Sequence, residues 1–474
     1  MLFPTIEFAT FFSIVFVVGW TLARRPRAWK LFAIAASYVF YGWWDWHFVL
    51  LLAASTFANQ VGAIASTRAP TVRLRRAAAG ATIAADLALL GWFKYYGFAA
   101  LNIDTVLTGL GLPALVPLVQ VTLPVGISFF TFMGISYIVD VYRGTIRAAG
   151  WLDFATYLSF FPHLVAGPIV RGSELLPQLA APREPTRIEF PRAAVLIVGG
   201  LFKKVVVSTF LAGAIVDPVF ALPGSHSTVE IVAAIYAYAI QIYADFSGYT
   251  DIAIGVALLL GYRFPDNFAA PYTARSLQDF WRRWHITLSR WLRDYVYIAL
   301  GGSRNGTVAT VRNLVVTMLL GGLWHGAAWT FIAWGAFHGV GQAIEHLWRG
   351  ARVASGRKPL PDGRVATILE RVVTFQVVCI GWLLFRARSL DDVVALVSRA
   401  FTAPGPAPLV TPLVVGVIAL GIVTQYLSGS PWRAAVSAFA RLHPLAQATA
   451  LGSAMAGITA LAPDGIPPFI YYRF

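Results

Sequence analysis

The sequence predicts an all-α polytopic membrane protein, with about 11 transmembrane helices by hydropathy. Three observations carry that expectation. Of 474 residues, 58% are hydrophobic and 12% charged, where soluble proteins carry roughly 25% charge. The mean hydropathy is +0.67. Long apolar runs alternate with short loops in which Arg and Lys collect, the positive-inside pattern. No polar stretch is long enough to build its own core, so residues 1–474 read as one integral-membrane domain.

Taken in order, residues 3–23 form a first span. The segment lacks a basic n-region and a small-residue cleavage site, so it reads as retained. Arg24, Arg25, Arg27 and Lys30 follow and are expected in the cytoplasm. Residues 31–44 and 48–66 read as a hairpin whose aromatic turn, YGWWDWHF, sits at the outer interface. Arg68 to Arg76 return to the cytoplasm, residues 77–93 cross outward, and 121–141 cross back to Arg143 and Arg147. Residues 152–170 hold Pro162 and Pro168 around Gly167. Such a segment is broken or re-entrant, which is tolerated where protein or a watery cavity covers the backbone.

Two more long apolar runs, 193–221 and 229–261, come next. The second carries Gln241, Asp245, Ser247, Tyr249, Thr250 and Asp251, and buried carboxylates at that depth need partners or solvent. Residues 276–295 repeat Leu277, Phe280, Trp281, Trp284, Leu288, Trp291 and Tyr295 at three- and four-residue spacing. Asp279, Arg282, Arg283, Arg290 and Arg293 oppose them. The pattern predicts one amphipathic helix at the membrane interface, started by Ser276 and Asp279 as a capping box. His285 borders its apolar face, where a histidine is more often a packing residue than a catalyst. After a basic loop from Arg349 to Arg364 comes a span at 368–385, then Arg386 and Arg388, and apolar runs at 408–427 and 447–462. Basic residues at both ends of 368–385 conflict with a simple crossing.

Function centres on the run from Arg312 to Glu345. It is long enough to span, at about 20 residues per crossing. His325 lies near its middle, about 20 Å along a helix counted at roughly 1.5 Å per residue. Gly321, Gly322, Trp324, Gly326, Ala327, Ala328 and Trp329 surround it. An ionisable group at that depth marks a functional site by default, the plainer reading being a hydrogen bond to a neighbouring helix. The one cysteine, Cys379, lies in the apolar run VVCIGW and reads as a small core residue. It rules out an intrachain disulfide and a Cys-rich metal site. The net charge of +15 is explained by membrane orientation rather than nucleic acid, with attraction of an acidic cytoplasmic partner as an added role.

Four stretches look familiar together: LPVGISFFTFMGISYIVDVYRG at 123–144, YLSFFPHLVAGPIVRGSELLPQL at 157–179, YADFSGYTDIAIG at 243–255 continuing to DFWRRWHITLSRWLRDYVYIALGGSR at 279–304, and LLGGLWHGAAWTFIAWGAFHG at 319–339. On these the chain resembles the membrane-bound O-acyltransferase family, in its bacterial polysaccharide-acetylating branch. The C-terminal PFIYYRF resembles the branch that includes the membrane subunit of alginate O-acetylation, with Arg473 a departure from the polar residue expected there.

The resemblance implies a ring of membrane helices around a central funnel, with a catalytic core over about 121–345. It implies catalytic roles for His325, in the WHG context, and His285, in RWH. It implies a cytoplasmic acyl-thioester donor, either acetyl-coenzyme A or an acyl carrier protein, with no bound cofactor or metal. An extracytoplasmic polysaccharide or a periplasmic acetyltransferase partner would receive the acyl group, at a bacterial inner membrane. Trp324, Asp245, Ser247, Asp251 and Arg282 are the substrate-binding candidates. The 245–251 segment is read either as cavity lining or as helix packing, and His163 and Arg171 as shaping the funnel. A neutral imidazole suits the chemistry, because transfer to a hydroxyl needs a base, and burial disfavours the charged ring. Peptidoglycan or teichoic-acid acylation is an alternative by the same mechanism. From other classes, a glycan or lipid transporter with His325 as a proton relay, or a scaffold anchoring a periplasmic enzyme, remain.

Overall fold

The computed structural model describes residues 1–119, 121–356, 363–427 and 429–463. These residues are mostly α-helical, and no strand occurs among them. The PFIYYRF motif at 468–474 and the centre of the Arg349–Arg364 loop lie outside the described residues. Five described helices are long and apolar enough to cross a bilayer: His47–Arg68, Phe190–Ala221, Thr228–Leu259, Gly306–His325 and Arg364–Arg386. A sixth counts if Pro412–Tyr426 and Pro431–Ala440 are one bent span. Ile6–Thr21 and Ile127–Tyr142 are apolar but shorter. The chain divides into two compact units, residues 1–193 with 253–265, and residues 194–252 with 266–474.

The first unit is built from helices Ile6–Thr21, Pro26–Gly42, His47–Arg68, Val72–Leu90 and Ile127–Tyr142, near the expected spans. Thr5 starts the first by accepting a hydrogen bond from the Phe8 amide at 3.3 Å. A glycine lets helices close: a Cβ on Gly62 would sit 2.0 Å from the Thr82 hydroxyl. The Pro-containing segment breaks as expected, into Trp151–Ser159, Phe161–Leu164 and Gly172–Ala180. Residues 156–170 are buried throughout. Its irregular backbone is therefore covered by protein, the condition for such a break. His163 lies there, its Nε2 2.8 Å from the Tyr157 carbonyl and its ring stacked on Phe264 at 5.3 Å.

In the second unit, Phe190–Ala221 runs through two π-helical stretches, Phe202–Ser208 and Ala212–Val216. It packs closely on Thr228–Leu259, where a Cβ on Gly200 would lie 2.6 Å from the Gly248 carbonyl oxygen. Two expectations are corrected here. Residues 276–295 are not one helix. Leu277–Arg283 and Ile286–Leu292 are separated at Trp284 and His285, and Arg293–Tyr297 is a π-helical turn. His285 takes φ 41°, ψ 55°, a left-handed conformation that ends one helix and redirects the chain. Leu277, Phe280, Trp281, Trp284, Leu288 and Trp291 are buried in this unit rather than turned to lipid. The Ser276 cap holds, its hydroxyl accepting the Asp279 amide at 3.1 Å.

The second correction concerns the central run. It is a helical hairpin, not a single crossing. The 20-residue helix Gly306–His325 ends on His325, Gly326 and Ala328 are extended, and Trp329–Ala354 returns alongside. Three glycines of this pair sit where no side chain fits. A Cβ would come 2.2 Å from the Phe331 carbonyl oxygen at Gly322, 2.5 Å from the Met318 oxygen at Gly335, and 2.9 Å from the Val315 Cα at Gly339. His325 therefore stands at the end of a helix about 30 Å long rather than midway. The basic residues that follow the 368–385 run have carboxylate partners. Arg386 pairs with Asp217 at 2.7 Å and Arg388 with Asp392 at 3.1 Å.

Candidate active site

The site is assembled from the hairpin tip, the broken 277–292 segment and the Thr228–Leu259 helix. His325, 3% exposed, is held by aromatic edges. Its ring centroid lies 5.0 Å from Trp324, 5.0 Å from Trp334 and 5.1 Å from Phe385. Trp324 is the bridge to the second histidine, 5.9 Å from His285. His285 is fully buried and meets Phe246 edge-on at 4.6 Å. Burial pushes its imidazole down to about 3, so the ring is neutral at physiological pH. Its Nδ1 lies 3.2 Å from Asn267 Oδ1. Its Nε2 is buried with no hydrogen-bond partner among the described residues. Such a lone pair can accept a substrate proton.

The structure thus brings His325, Trp324 and His285 together. The other candidates take different places. Asp245 pairs with Lys204, both buried, and also accepts from the Ser208 hydroxyl at 3.3 Å. Asp251 pairs with Lys203 at 2.5 Å, and Ser247 accepts from the same ammonium at 3.0 Å. These carboxylates have partners, as burial demands. Their helix reaches His285 through Phe246. Arg282 is exposed.

Four residues escaped the sequence reading. Lys203 and Lys204 stand in an apolar run, FKKVVVS, where lysines that deep call for carboxylate partners. That signal was available. It was available for His338 too, an ionisable group in the same apolar run as His325, whereas Asn267 had none. His338 is fully buried; its Nδ1 accepts from Trp281 Nε1 at 3.4 Å, and its ring lies 4.9 Å from Trp334. It thereby ties the 277–283 segment to the hairpin wall that holds His325. Asn267 belongs to an irregular stretch without a helix or strand pattern.

Long apolar helices mark an integral-membrane protein, and two buried imidazoles on either side of one indole form its candidate site. The membrane-bound O-acyltransferase family model matches residues 119–380. The chain is 43% identical over 393 residues to the protein named "Probable alginate O-acetylase AlgI" of Pseudomonas aeruginosa, covering 82% of this chain and 73% of that one. It is 34% identical over 398 residues to the peptidoglycan O-acetyltransferase of Helicobacter pylori, covering 78% and 73%. It is 30% identical over 278 residues to the teichoic acid D-alanyltransferase of Bacillus subtilis, covering 56% and 68%. The chain belongs to the membrane-bound O-acyltransferase family and is an acyltransferase of the membrane.

Proposed function

We propose that this enzyme carries an acetyl group from a cytoplasmic thioester through the membrane to a hydroxyl of an extracytoplasmic polysaccharide, or of a periplasmic acetyltransferase that modifies it. The observation that carries the reading is the His325–Trp324–His285 cluster, two imidazoles joined through one indole and shut from water. A neutral imidazole takes the proton of the incoming hydroxyl as its oxygen attacks the thioester carbonyl. The C–S bond then breaks, an ester forms, and the thiolate leaves with the proton that the imidazole returns. Coenzyme A or an acyl carrier protein serves as donor, with no bound cofactor. The acceptor class follows the alginate O-acetylase relatives, at 41–44% identity; an exopolysaccharide of that kind is the first substrate to try. The peptidoglycan O-acetyltransferase relative favours a second acceptor by the same chemistry.

The finer architecture belongs to the same reading: about 11 spans, the shorter apolar helices included, ring a funnel open to both faces of a bacterial inner membrane. Trp324 lines the acyl path, Asp245, Ser247 and Asp251 stiffen its wall through their lysines, and Arg282 meets the charged donor. Purified protein in liposomes tests it, with labelled acetyl thioester inside and alginate or peptidoglycan outside. Consumption of donor, with label delivered only when a periplasmic partner is added, is expected. Full acetylation of the polymer by the membrane protein alone overturns the relay. Glycan movement without thioester consumption overturns the transferase.

A further inference from the structure

Asn267, 1% exposed, clasps the turn at His285 with both its backbone and its side chain. Its carbonyl oxygen accepts the Ile286 amide at 2.9 Å. Its side-chain Oδ1 lies 3.1 Å from the Thr287 amide nitrogen, 2.9 Å from the Thr287 hydroxyl and 3.2 Å from His285 Nδ1. A backbone N–H can only donate, so the Asn267 atom facing Thr287 must be the oxygen; the flipped amide would set NH₂ against N–H. That same oxygen faces His285 Nδ1. An oxygen there demands a proton on Nδ1. A neutral imidazole carries one ring proton, so Nε2 is left with its lone pair.

We propose that Asn267 is a positioning residue, which holds His285 in the Nδ1–H tautomer and so presents Nε2 as a proton-accepting atom of the site, beside His325. The inference rests on the reading of His285 as part of the active site. It goes beyond that reading by naming the reactive nitrogen and the side chain that selects it. Hydrogen bonds to the second ring nitrogen set tautomer and orientation in this way in other imidazole sites. The surroundings leave the task to Asn267. The ring meets Phe246 and Trp324 edge-on, and neither supplies an acceptor. Asp245, next to Phe246, is engaged with Lys204. His325 lies on the far side of Trp324.

The test is ¹⁵N-histidine NMR on the full-length protein in detergent or bilayers, with the His285 signal identified by its loss in His285→Gln. A protonated Nδ1 and unprotonated Nε2 are expected in the wild type. An Nε2–H tautomer there overturns the proposal, whatever the activity data say. Asn267→Ala should blur the tautomer and lower kcat by about ten-fold or more with little change in KM. Asn267→Asp keeps the acceptor and adds a negative charge, which favours the imidazolium. It should therefore retain the tautomer and raise an acid limb of the pH–rate profile to about pH 4–6. A limb that does not move would mean that the residue 267 side chain does not face the His285 ring or that protonation of His285 does not limit turnover, and either result counts against the proposal. If His285→Gln keeps full transfer activity, the active-site reading fails, while the tautomer measurement still decides the role of Asn267.

Discussion

His325 and His285 are both imidazoles in a dry site, but their settings differ. His325 is gripped by the rings of Trp324, Trp334 and Phe385. His285 is held by a polar anchor and a left-handed backbone. Such backbone outliers gather at functional sites, where the surroundings over-determine them. Substituting His325→Ala should lower acyl transfer by about 10²–10⁴-fold, with expression and membrane insertion unchanged. Polymer acetylation at wild-type level, with normal protein in the membrane, would remove His325 from the mechanism. His285 also makes a pH prediction. Its folded pKa of about 3 lies below the unfolded value of roughly 6.5. Between those values the unfolded chain binds the proton more tightly, so His285's contribution to stability is intact above about pH 6.5 and is lost as pH falls toward 3. The melting temperature of wild type should therefore drop more steeply over that window than that of His285→Gln. Parallel curves would show that His285 is not held neutral by burial.

Two elements carry the site, and each has a weak point that can be probed. In the hairpin, Gly322 is pressed against the Phe331 backbone, and Gly80, on the Val72–Leu90 helix, has nothing within 4 Å of a built Cβ. Gly322→Val should cost several degrees of melting temperature and most of the activity, because backbone cannot move aside as a side-chain tip can. Gly80→Ala should be neutral or slightly stabilising. Equal tolerance at both positions would mean that the hairpin does not close as described. Between Phe190–Ala221 and Thr228–Leu259, the Lys204–Asp245 pair is almost wholly buried, at 1% and 4% side-chain exposure. Lys204→Met strands a buried carboxylate and should cost about 3–5 kcal/mol. The double change Lys204→Met with Asp245→Leu should recover much of that loss, as apolar replacement of buried pairs often does. A double variant no more stable than the single one would contradict the pairing.

At the scale of the whole molecule, the basic loops predict which ends face the cytoplasm. With Cys379→Ser as background, Arg27→Cys and Arg73→Cys should resist an impermeant thiol reagent in intact cells, and Asp45→Cys should react. Labelling at 27 or 73 would invert the orientation. The sequence alone determined that this is a helical membrane protein, because bilayer burial demands long apolar runs, and those are visible without contacts. It also determined the family, and it marked His325 and His285 through the motifs that surround them. The breaks were legible only where proline signalled them, as in 152–170. At His285 and at Gly326 the chain turns without proline, inside runs whose apolar periodicity reads as continuous helix. There tertiary packing overrides local pattern: the Asn267 clasp stabilises a left-handed histidine, and the Phe331 ring occupies the space beside Gly326. The partners of the buried charges, Lys203 for Asp251 and Lys204 for Asp245, were likewise decided by the fold. They lie more than 40 residues apart in the chain, and only helix packing brings such groups within reach of one another.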